Sequence, residues 1–88
     1  MQTMKNTVAI VDYGMGNLRS VWQAVQAAAA DSSVQVQVTH DPAVVHAASR
    51  VVLPGQGAMR DCMAALRHSG LEEAVRQAAA SKPLFGVC

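Results

Sequence analysis

The chain has 88 residues, a formal net charge of +1 and 15% charged residues. That length holds one small domain, and a near-neutral balance with no basic block or interleaved aromatics argues against nucleic acid as the main partner. The composition is 51% hydrophobic, mostly Ala and Val in patterned runs, which excludes a disordered chain; no apolar run approaches the ~20 residues that cross a bilayer.

The polar start, 1–6, leads straight into an apolar run and does not read as a secretory signal. Residues 7–11 are rich in β-branched side chains and predict a strand buried on both faces. Gly14 and Gly16 then break the run, and the period changes at Asn17. Leu18, Val21, Trp22 and Val25 recur at helical spacing with Asn17 as N-cap, so a helix is expected to about Ala30. Val34, Val36 and Val38 alternate with polar residues, the period of a half-covered strand. Asp41 and Pro42 read as N-cap and first helical residue of a short helix to about Ala48.

A third strand is expected over 50–53, ended by Pro54, Gly55, Gln56 and Gly57. Met59, Cys62, Met63 and Leu66 mark the inner face of the next helix, which makes Cys62 an inert core thiol. The spacing of Ser69 and Glu72 is that of a capping box, opening a helix along Leu71, Ala74, Val75 and Ala78. Lys82 and Pro83 break it, and 84–87 is a fourth strand. Strands alternating with helices predict an α/β fold over 1–88, a mostly parallel sheet with helices on both faces. Ligands of such sheets bind beyond the carboxyl ends of the strands, and three of the four ends here carry glycine-rich or cysteine-bearing turns.

Cys88 follows Gly86 at a strand end, the setting of a nucleophile on a sharp strand-to-helix turn. A small buried hydrophobe is the plainer reading of a lone cysteine. Backbone N–H groups of the Gly55, Gln56, Gly57 turn can face an anion or a developing oxyanion, although an ordinary tight turn has the same composition. Gly14 and Gly16 resemble the opening of a dinucleotide fingerprint, but Arg19 stands where the third glycine belongs. His40, His46 and His68 complete no dyad with Cys88, and no spacing suits a metal site.

Three segments nevertheless coincide, in order and spacing, with one family. Residues 11–21 (with Asp12, Tyr13, Gly14, Met15, Gly16, Asn17 and Leu18), 54–59 and 83–88 together resemble the triad-type, class I glutamine amidotransferases. The first segment is the most selective and resembles the glutaminase subunits of imidazole glycerol phosphate synthase; the other two recur across the class. The resemblance implies a flavodoxin-like domain of which these 88 residues are about the first half, reaching the nucleophile elbow. It implies Cys88 as the nucleophile toward glutamine, and Gly55, Gln56 and Gly57 as part of the oxyanion hole. The loop of Tyr13, Gly14, Gly16 and Asn17 would face a cyclase partner, forming a cytoplasmic heterodimer with ammonia passed between the subunits in histidine biosynthesis. No cofactor or metal is implied.

Gln56 departs from the small apolar residue common in the family, a change that a backbone donor tolerates. The catalytic His and Glu of the family fall later than residue 88, so the 88 residues alone are expected to be inactive. Four parallel strands with an open edge are also expected not to fold stably alone. Two other readings stay open: the glutaminase subunit of another class I amidotransferase, such as pyridoxal phosphate synthase, and a non-catalytic nucleotide-binding α/β module using the loop of Gly14 and Gly16.

Overall fold

A computed structural model describes residues 4–14, 16–30, 33–55 and 59–87. The elements run β1 (Met4–Val11), α1 (Leu18–Ala28), β2 (Gln35–Thr39), α2 (Pro42–Ala47), β3 (Ala48–Pro54), α3 (Met59–Ser69), α4 (Glu72–Ser81) and β4 (Leu84–Val87). All four strands pair in parallel, in the order β2-β1-β3-β4. The alternating pattern of strands and helices demands this arrangement, because a parallel neighbour can be reached only by a crossover.

The two faces carry separate cores. Val8, Ile10 and Val52 pack with Val21 of α1, flanked by Leu18, Val25, Val34 and Val36. On the other face Val11 and Val51 meet Val45 of α2, Leu66 of α3, and Leu71, Ala74, Val75 and Ala78 at and within α4. Successive residues of β1 and β3 therefore serve opposite faces, as the pleat requires. This double coverage explains why 7–11 is a continuous apolar run. The α1 face is covered only in part: Phe85, paired with Val52 across β3 and β4, is 57% exposed beside an apolar groove lined by Val25, Ala28 and Val52. Among the described residues no helix lies over that end of the sheet.

Several local expectations shift. Strand β1 begins at Met4 rather than Thr7 and carries a register shift between Met4 and Val8. Asn6 adopts φ 57° there, a left-handed conformation that Asn tolerates better than most residues. Ser49 holds the irregularity: its hydroxyl accepts from the Thr7 N–H at 3.1 Å and donates to the Thr7 carbonyl at 2.8 Å. Trp22, assigned to the inner stripe of α1, is 39% exposed. It lies one residue, about 100° of helix, past the buried Val21 and so sits on the flank.

The expected capping box does not form. Ser69 is the last residue of α3, the chain turns at Gly70 (φ 82°), and Leu71 becomes the N-cap of α4 without a side-chain cap. The Ser69 hydroxyl instead donates to the Leu66 carbonyl and accepts from the Leu71 N–H, bridging the two helices. Glu72 turns to Arg67 at 3.2 Å.

Candidate functional site

From β1 the chain crosses to β2 on one side, and from β2 it returns past β1 to β3 on the other. The crevice between the carboxyl ends of β1 and β3 is therefore the topological switch point, where open α/β sheets bind ligands. The loop after β1 and the turn after β3 both open there, and both were singled out by sequence. They touch. The Tyr13 hydroxyl donates a hydrogen bond to the Pro54 carbonyl. Gly16 is so close that a Cβ on it would lie 2.8 Å from Pro54 Cβ and 3.2 Å from the Gly55 nitrogen.

Each contact has a local cause. The ring of Tyr13 belongs to the cluster around Val11, Val45 and Val51 and is only 5% exposed, so its hydroxyl needs an internal acceptor. Gly16 sits at φ 88°, a conformation that side chains resist, and its missing Cβ makes the space that Pro54 fills. Asn17 then caps α1, its Oδ1 accepting from the Ser20 N–H at 3.2 Å. Beside this rim, the Asp12 N–H donates to the Thr39 carbonyl at 2.8 Å, and Asp41 caps α2 through the Ala43 N–H at 2.9 Å.

Of the candidate residues, Tyr13, Gly14, Gly16, Asn17 and Gly55 are brought to one rim. Gly14 and Asn17 are exposed, whereas the side chain of Tyr13 turns inward. Gln56, Gly57 and Cys88 lie outside the described residues. Strand β4 nevertheless brings the approach to Cys88 to the same end of the sheet, because Val87 is the register partner of Pro54. His40, His46 and His68 are exposed, and Cys62 packs against the α2–α4 face as expected of a core thiol. Among the described residues no group of three His, Cys, Asp or Glu side chains could hold a metal ion, and no helix is long and apolar enough to cross a membrane.

Sequence reasoning missed two contacts. The Tyr13–Pro54 bond was hidden because both residues sit in turns, although a tyrosine directly after a buried strand signals a hydroxyl in need of a partner. Lys82 was read only as a helix breaker. Its ammonium in fact donates to the carbonyls of Val45 (3.3 Å), His46 (2.6 Å) and Ala48 (2.6 Å) at the end of α2. Burial lowers its pKa, and the three carbonyls offset that cost.

Strand order and rim together define a doubly wound α/β domain of flavodoxin-like order, with its site at the β1/β3 switch point. No family model matches the chain. Among individual proteins it is 62% identical over 81 residues to the imidazole glycerol phosphate synthase subunit HisH of Aromatoleum aromaticum, covering 92% of this chain and 37% of that protein. The HisH subunits of Nitrosomonas europaea and Methylococcus capsulatus are each 55% identical over 83 residues, covering 94% of this chain and 38% and 37% of theirs. The chain is a homologue of the HisH subunits along nearly its whole length, and so of the class I glutamine amidotransferases. It spans a little over a third of the length of these relatives.

Proposed function

We propose that the protein to which this chain belongs is the glutaminase subunit of imidazole glycerol phosphate synthase, a cytoplasmic enzyme of histidine biosynthesis. The observation that carries this reading is the 62% identity to a HisH subunit over 92% of the chain. The meeting of the two loops at the switch point supports it.

In this reading the Cys88 thiolate attacks the side-chain amide carbon of glutamine. The C–N bond breaks, ammonia leaves with a proton from the general acid, and a γ-glutamyl thioester remains for water to hydrolyse to glutamate. Backbone N–H groups of Gly55, Gln56 and Gly57 stabilise the tetrahedral oxyanion. The rim of Tyr13, Gly14, Gly16 and Asn17 lies beside the glutamine site, with Gly14 and Asn17 exposed toward a cyclase subunit that receives the ammonia. By the resemblance, the catalytic base and its carboxylate occur later in the family's sequences, so the 88 residues alone are inactive.

The test is Cys88→Ala in the complete protein assembled with its cyclase. Glutamine-dependent turnover should disappear while turnover with added ammonia persists. Glutaminase activity retained by that variant would overturn the assignment.

A further inference from the structure

We propose that the apolar groove on the α1 face of the sheet seats a helix from the residues that follow β4 in the complete protein. That helix lies antiparallel to the strands over β3 and β4, with its C-terminal turn beside Arg50. The placement rests on kinship with the HisH subunits and not on glutaminase activity.

The two faces of the sheet are unequally covered. Helices α2, α3 and α4 pack on one face and α1 alone on the other, whereas parallel sheets are buried on both. Over β3 and β4 the α1 face is bare. Val52 forms the floor of the groove, Ala24 and Ala28, one turn apart on α1, form a wall, and Phe85 stands 57% exposed. The groove has a volume of about 370 Å³. A small-molecule site of that size brings several polar groups together to orient its ligand, but here the side chain of Arg50 is the one polar group in an apolar lining. Such a surface suits a row of apolar side chains from a protein segment.

Length and topology say which segment. The chain spans a little over a third of the length of its relatives, so the complete protein has further chain to place. The step from β1 to β2 runs one way along the sheet and carries α1. The steps from β2 to β3 and from β3 to β4 run the other way and carry α2, α3 and α4 on the opposite face. Because crossovers are right-handed, a helix leading from β4 to a strand beyond it falls on the α2–α4 face. The α1 face near β4 is reached by a helix that returns toward β1 after such a strand. Like α1, it starts at the carboxyl end of the sheet and finishes at the amino end. Arg50 waits there: it is the register partner of Val8, exposed, and in no ion pair among the described residues. A cation is stabilised by the negative end of a helix.

The test uses the complete subunit without its cyclase, at a concentration where it is monomeric. With p-benzoylphenylalanine in place of Phe85, irradiation should cross-link position 85 within the same chain. The partner peptide should lie more than about 30 residues beyond residue 88, the length that a helix and a further strand require. A cross-link to the residues directly after 88, to a second copy, to added cyclase, or none at all would overturn the proposal. Hydroxyl-radical labelling reads the same burial in the wild type, should the substitution prevent folding. Phe85 should then be oxidised at least about fivefold more slowly than in the urea-unfolded subunit, and a rate within about twofold would overturn the proposal. Arg50→Glu should lower the melting temperature by at least about 2 °C, most at low salt, and Arg50→Lys by less. No shift with Arg50→Glu would overturn the placing of the C-terminal turn. None of these readouts uses glutamine hydrolysis, so they stand or fall apart from the glutaminase reading.

Discussion

The two ends of the sheet are secured by the same device, a side chain reaching backbone carbonyls, yet the device serves different ends. At the amino end the Lys82 ammonium gathers three carbonyls where α2 passes into β3, and Ser49 bridges both backbone groups of Thr7 beside the irregular start of β1. These bonds satisfy groups that a helix terminus and a register shift would otherwise leave without regular partners. At the carboxyl end the Tyr13 hydroxyl takes the carbonyl of the fully buried Pro54, and Gly16 leaves the space that Pro54 fills. Bonds at the amino end secure a helix terminus and an irregular strand start; those at the carboxyl end join two loops.

That contrast can be broken by substitution in the complete protein, and the largest expected effect lies at the rim. Gly16→Ala meets both a φ of 88° and a Cβ contact at 2.8 Å, so unfolding in denaturant should show a loss of about 3 kcal/mol. A loss below 1 kcal/mol would mean that the two loops yield easily and do not grip each other. At the amino end, Lys82→Met should cost about 1–2 kcal/mol with glutaminase kcat unchanged, by the loss of charged hydrogen bonds to the end of α2. A fall in kcat without a fall in stability would erase the distinction between the ends.

Gly14→Ala sharpens the case for Gly16. Gly14 has φ 91° but nothing within 4 Å of a built Cβ, so only the backbone term of about 1 kcal/mol should be measured. Equal losses at Gly14 and Gly16 would show that the Pro54 contact adds nothing. Smallest of all, Arg67→Ala should change stability by less than about 0.5 kcal/mol, because the Arg67–Glu72 pair is 67% and 31% exposed and no part of either end depends on it.

Much of the fold was legible before any coordinates. The change of period at Asn17, the alternation of Val34, Val36 and Val38, and the Asp41–Pro42 start of α2 are local signals, and each element appears within a few residues of its expected place. Failures came where a residue's role depends on a neighbour far along the chain. The Ser69–Glu72 spacing matched a capping box, but α3 runs on to Ser69 and takes that hydroxyl for itself. Trp22 matched the apolar stripe, but it lies on the flank of α1, one residue past the buried Val21. The rim residues were singled out for their glycines and strand ends, whereas nothing within 12–17 or 54–57 says that Tyr13 and Gly16 meet Pro54 and Gly55.

The sequence by itself determined the alternation of strands and helices, the two-sided burial of β1 and kinship with the glutamine amidotransferases, because periodicity, turn chemistry and motif order are properties of neighbouring residues. Only the tertiary structure decided that Tyr13 is an internal donor, that Gly16 is a gap filled by Pro54, and that Lys82 closes the end of α2. Those contacts join residues 34 to 41 positions apart. They exist because parallel crossovers bring strand ends together that the chain itself keeps distant.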